Sequence, residues 1–253
     1  APVLIKLIED GWLTHLATNG AGVIHDWEFS FLGESSEDVR ANVAAGRFGN
    51  WQETGFNINL AINLGAYEGK GYGEAVGAFI DNDGVKIPSP DRLLNGIADA
   101  ADAPLHAALS AYVLELVQRF DLKFGKYQVD HAHKQYSVQA AACRAGIPFT
   151  SHPMFGHDII YNHPMNCGAL LGQAAERDFL TFAKAISNID GGVYLSLGSA
   201  VMSPMIFEKS MAMAQNLAIQ SGAHIDDHYI VVVDLAECSW DWSRGEPPPD
   251  NPA

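Results

Sequence analysis

Apolar residues follow two rhythms along this chain, a helical spacing and short continuous runs, and their alternation predicts an α/β fold. The opening run (Val3, Leu4, Leu7, Ile8) predicts a helix that ends at Glu9, closed by Asp10 and Gly11. Trp12 to Ala17 then reads as a short buried strand, followed by Thr18, Asn19, Gly20, Ala21 and Gly22. Small residues after a strand suit a tight turn into a helix, where backbone comes close to a ligand. Helices are expected from Val23 to Phe31 and from Ser35 or Ser36 to Gly46, the second with acids in its first turn. Residues 50–82 predict two helical pieces broken around Gly69–Lys70–Gly71. No strand precedes those glycines, so they read as a helix connection rather than a phosphate loop. Asp81 to Pro90 reads as a surface loop, and Leu105 to Phe120 as an amphipathic helix.

The second half repeats a strand–helix rhythm. Helices are expected over Gln135–Ala145, Ala169–Ile189 and Ser203–Gln220, and strands over Ile147–Ser151, Gly192–Leu197 and Tyr229–Leu235. Continuous apolar strands imply burial on both faces, hence a doubly wound, mostly parallel Rossmann-like sheet with helices on both sides. The expected organisation is one α/β domain over 1–253, cut at both ends, with a mostly helical insertion or layer at 34–125. Ligands in such a fold bind beyond the carboxyl ends of strands. Those ends are Thr18–Gly22, His152–Asp158, Gly198–Ser199 and Asp234–Trp242.

Charge narrows the partners. Thirty acidic against 15 basic residues give a formal net charge of -15, which argues against a nucleic acid and against an anionic membrane surface. Three scattered cysteines without a CxxC pair suit a reducing cytoplasm, and no apolar run reaches the roughly 20 residues of a membrane span.

At the four strand ends the chain resembles deoxyhypusine synthase, a family that uses NAD to oxidise spermidine and passes its aminobutyl group to a protein lysine. The resemblance rests on LATNGAGVIHD (16–26), AGIPFTSHPMFGHDIIYNHP (145–164) and the stretch 195–237, in that order. It implies an NAD site at Thr18, Asn19, Gly20, Gly22, Gly198, Ser199, Asp234 and Ala236. It implies catalytic carboxylates at Asp158, Asp241 and Glu246, and an amine substrate held by His152, His157, Trp240 and Trp242. A small-molecule amine partner and a homotetramer follow from the same resemblance. The departures bear on chemistry: Met202, Ser203 and Pro204 stand where the family has a histidine pair, and none serves as an acid–base group near neutral pH. Pro153, Met154 and Phe155 replace its substrate-loop Thr-Asp-Gly, and His25 stands in place of an acid near the ribose. The expectation is therefore a deoxyhypusine synthase-like transferase with altered chemistry.

Histidines supply the alternative. His131 and His133 flank Ala132, and His152, His157 and His163 surround Asp158. Imidazoles and carboxylates are zinc and iron ligands, so a metal-dependent hydrolase stays open, as does a non-catalytic oligomeric scaffold. His152, His157, Asp158 and His163 are expected to converge at the strand ends, with His131 or His133 nearby.

Overall fold

A computed structural model describes residues 1–199, 201–235, 240–245 and 248. The elements run α1 (Pro2–Glu9), β1 (Leu16–Thr18), α2 (Gly20–Leu32), α3 (Val39–Ala44), α4 (Gln52–Tyr67), α5 (Tyr72–Asp81), β2 (Gly84–Ile87), α6 (Pro90–Ala98), α7 (Pro104–Arg119) and β3 (Gly125–Gln128). They continue with α8 (Val138–Ala145), β4 (Phe149–Ser151), α9 (Gly168–Ile186), β5 (Gly192–Leu197), α10 (Met202–Gln220) and β6 (His228–Val233). The chain divides into two compact units, Ala1–Phe182 and Ala183–Ala253.

In the first unit, β1 pairs with β4 in parallel, Leu16 opposite Phe149 and Thr18 opposite Ser151. The strand begins four residues later than the apolar run suggests, because Trp12 still belongs to the end of α1. Its N–H closes that helix onto the Leu7 carbonyl at 2.9 Å, and its indole is exposed. The stretch 81–90 also differs from a plain loop. Asp83 and Gly84 take positive φ (51° and 128°) and turn the chain into β2, which pairs antiparallel with β3. Pro88 and Pro90 bound that strand rather than dissolve it. α3 starts later than Ser35 or Ser36, since Ser36 takes a φ of 82° and Asp38 is the residue that caps the helix, accepting from the Ala41 N–H at 2.9 Å.

The core of this unit centres on α4, whose residues from Asn57 to Tyr67 are all buried. Ile58, Leu60, Ile62 and Leu64 pack with Trp27, Tyr72, Phe79, Leu93 and Val113. Burying a helix on every side strands its polar residues, and the asparagines answer this by bonding outward. Asn59 donates to the Ile160 carbonyl at 2.8 Å and Asn63 to the Met165 carbonyl at 2.9 Å. Those bonds fix the segment 158–165, which carries Asp158 and Tyr161.

The second unit is a β5–α10–β6 crossover with its strands parallel, Gly192 opposite His228 through Leu197 opposite Val233. Paired residues share a face, so Val193, Leu195 and Leu197 line up with Tyr229, Val231 and Val233. All six are exposed, from 42 to 74%. The expected burial of this apolar run on both faces does not hold, since Ile230 and Val232 on the other face of β6 are 52 and 47% exposed as well. The strands pair two by two, and the fold of the described residues is mixed α/β with two short parallel pairs and one antiparallel ladder.

Candidate functional site

The ends of β1 and β4 meet as a pair of loops. The His152 N–H donates to the Thr18 carbonyl at 2.8 Å, extending the ladder by one bond. Asn19 caps α2, its side-chain oxygen accepting from the Gly22 N–H at 2.9 Å. Gly20 and Gly22 are required by close approach. A Cβ on Gly20 would lie 2.2 Å from Asp158 Oδ2, and one on Gly22 would lie 2.1 Å from Thr18 Oγ1. The carboxylate of Asp158 thus rests on the first turn of α2, where helix N–H groups favour negative charge. It accepts from the Tyr161 hydroxyl at 2.7 Å. Thr18, Asn19, Gly20 and Gly22 form the turn from β1 into α2, and Asp158 lies against it.

Three residues that the sequence did not single out complete this corner. Tyr161 is one of them. Asp178 on α9 is 2% exposed, and its Oδ2 accepts from the Gly73 N–H at 2.9 Å and the Ser151 N–H at 2.7 Å, tying α5 to β4. Burial pushes its carboxyl up to about 7, against the pull of those amides. The third is Tyr72, with no exposed surface. Its pKa is raised well above the usual phenol value by burial first, then by the charges of Asp158, Tyr161 and Asp178. Among the described residues its hydroxyl has no hydrogen-bond partner. Tyr161 is likewise held protonated, by burial and by its bond to Asp158. The corner therefore presents the Asp158 carboxylate beside phenols that keep their protons. The available signals were slight: Tyr161 lies three residues beyond Asp158, Tyr72 sits between two glycines, and Asp178 is an acid inside a long helix.

His152 turns toward the strand instead. Thr150 Oγ1 lies 3.0 Å from His15 Nε2 and 3.1 Å from His152 Nε2, and both rings stand edge-on to Phe182. A threonine hydroxyl has one proton, so it donates to one ring and accepts from the other. Burial lowers both histidines to about 4, and His15 is lowered further by its neighbour His152. Both rings are neutral at neutral pH.

The expected histidine convergence does not form. His157 is exposed on its loop. His163 bonds Gln52 Oε1 at 3.0 Å and accepts from the Met165 N–H at 3.0 Å, its ring packed by Phe56 and Phe120. His131 is a core residue, boxed by Trp27, Phe31 and Phe79. It sits in a turn rather than on a strand shared with His133. No group of three or more metal-type side chains assembles among the described residues.

In the second unit, Gly198 takes a φ of 70° and donates to the Val233 carbonyl at 2.8 Å. Ser199 Oγ accepts from the Ser203 N–H at 3.1 Å at the start of α10. Asp234 is exposed. Asp241 accepts from the N–H and hydroxyl of Ser243, and the Trp240 indole donates to the Gly245 carbonyl at 2.8 Å, with Arg244 over its ring. Trp242 opens a short 3-10 turn. Ala236, Glu246 and the Trp242 side chain lie outside the described residues. No helix among the described residues is long and apolar enough to cross a membrane.

Three comparisons bear on these observations. No family model, no curated protein and no solved structure matches the chain.

Proposed function

We propose that this protein handles a small amine in the manner of a deoxyhypusine synthase-like transferase with altered chemistry, and that the amine binds at the Asp158 corner of the first unit. The observation that carries the reading is the buried Tyr72 hydroxyl without a partner, set beside Asp158 and Asp178. An unmade buried hydrogen bond costs about 1–3 kcal/mol. An alkylammonium group has three N–H donors, and it could give one to Tyr72 and another to Asp158 at a favourable charge. The doubly wound sheet belongs to the same proposal, supported by β5–α10–β6, the crossover from which such sheets are built. A cytoplasmic location, suited by the scattered cysteines, and a homo-oligomer, implied by the resemblance, belong to the same proposal.

NAD, the cofactor that the resemblance implies, fits the corner poorly. The small residues of the turn leave space for backbone approach, but the Asp158 carboxylate rests where a pyrophosphate would seek the start of α2. Like charges at one helix start repel, so no step is assigned to the dinucleotide.

Calorimetric titration with spermidine tests the reading. The unaltered protein should bind it, and Asp158→Asn should weaken binding at least tenfold, as expected for a charged hydrogen bond worth about 1.5–3 kcal/mol. Tyr72→Phe should weaken binding severalfold while leaving the free protein equally stable or more so, since it removes an unsatisfied group. Undiminished binding by Asp158→Asn would end the proposal.

A further inference from the structure

A cleft of about 470 Å³ lies in the first unit, between α4, α5 and the β2–β3 ladder. Its lining includes the small residues Ala61, Ala75 and Ala78 together with Glu68, Lys70, Lys86 and Lys126. The chain has only 15 basic residues against 30 acidic ones, and three of them gather on this one depression. Two of the three stand directly opposite each other: Lys86 is the register partner of Lys126 across the ladder. Like charges opposite each other on one face of a sheet are destabilising. Lys70 is neutralised by Glu68 at 2.7 Å, whereas neither Lys86 nor Lys126 forms an ion pair among the described residues.

We propose that this cleft binds a small organic phosphate monoester, its dianion between Lys86 and Lys126 and its organic body in the remainder of the cleft. Charge sets the class. Two uncompensated ammonium groups balance one dianion, and a phosphate monoester above its second pKa of about 6 carries that charge on three acceptor oxygens. A monocarboxylate would leave one lysine repelling the other. A nucleic acid would need a basic surface far wider than one cleft, and the acidic chain does not provide it. The size agrees, since small-molecule sites are typically about 300–1,000 Å³ with an apolar lining and a few polar anchors. Asp158 and its neighbours take no part, so this site stands or falls independently of the amine site.

Phenyl phosphate is a suitable probe, titrated calorimetrically at pH 8 with phenol as the uncharged comparison. One equivalent of phenyl phosphate should bind and raise the melting temperature, and phenol should not. Lys86→Gln and Lys126→Gln should each weaken binding tenfold or more. Without ligand, neither variant should melt below the unaltered protein, because each relieves a repulsion. Lys123→Gln, at an exposed lysine paired with Asp121 at 2.6 Å, should bind as the unaltered protein does. Failure of phenyl phosphate to bind, unchanged affinity in both cleft variants, or equal stabilisation by chloride at the same ionic strength would each overturn the proposal.

Discussion

The two units handle apolar sequence in opposite ways. In the first, Trp27, Ile58, Tyr72 and Phe79 are at most 1% exposed, and even the asparagine-bearing α4 is enclosed. In the second, the most apolar strand of the chain, β6, exposes Tyr229 through Val233, while the buried positions of α10 are Phe207, Ser210 and Ala214. A run of valines records what a strand could bury, whereas burial depends on what lies over its face. The helix that reads as half polar is central because its amides find carbonyls to bond.

The largest effect should separate the units directly. Trp27→Ala, which empties a site with no exposed surface, should cost about 3–5 kcal/mol in urea unfolding. Val231→Ala, at a position 42% exposed, should change stability by less than about 1 kcal/mol. A Val231→Ala cost near that of Trp27→Ala would break the comparison, because it would mean that this face is covered in solution.

Acid titration sharpens the contrast, since the buried groups that titrate in the accessible range belong to the first unit. His15 and His152 are lowered from 6.5 to about 4, so the unfolded chain binds protons that the folded one refuses. Their contribution is complete above 6.5 and is lost as pH falls toward 4. Asp178 works the other way. Its folded pKa is raised from 3.8 to about 7, so its contribution is complete below 3.8 and is lost as pH rises to 7. Burial also lowers His131 and His163, so the lowered histidines outnumber Asp178 and stability should rise between about pH 4 and 6.5, by up to about 1.4 kcal/mol per pH unit for each uncancelled group. Above 6.5 only the decline from Asp178 remains. His152→Phe should flatten the rise, and Asp178→Asn should steepen it and remove the decline, both read from unfolding curves across that range. A rise unchanged in both variants would contradict the assigned burial.

Much of the first unit's helical framework was legible because periodicity and caps agree. α4, α5 and α7 fall within a few residues of their expected spans, and Gly146 ends α8 with a φ of 67°. β2 was not legible, because the proline and glycine signals that bound a four-residue strand also mark loops. At the site, the strand–turn–helix around Gly20 was readable from its small residues, and Asp158 from a resemblance in order and spacing. Tyr72 and Asp178 were not readable, since their roles arise from a contact across 106 positions that local pattern does not encode. The histidines misled for a related reason: His131 looks like a ligand in sequence but packs as an aromatic core residue.

The smallest effect tests whether the two expected cofactor turns are anything more than caps. Asn19 and Ser199 each place a side-chain oxygen on an N–H in the first turn of a helix that follows a parallel strand, at 2.9 and 3.1 Å. Asn19 is the N-cap residue of α2, and replacing such a cap by alanine costs about 0.5–2 kcal/mol, whereas Ser199 stands two residues before Val201, the N-cap of α10. Asn19→Ala should fall near 1 kcal/mol, because α2 packs Val23 and Trp27 into the core and fraying there disturbs buried surface. Ser199→Ala should cost less, because its bond is longer and the last residues of β5 beside it are exposed at Leu197. Spermidine affinity adds the decisive readout. If Asn19 is a cap alone, Asn19→Ala should bind spermidine within about twofold of the unaltered protein under conditions where both are fully folded. A loss as large as that of Asp158→Asn would instead place the turn itself in contact with the amine, and would make the first unit's corner a two-sided site rather than a carboxylate resting on a helix.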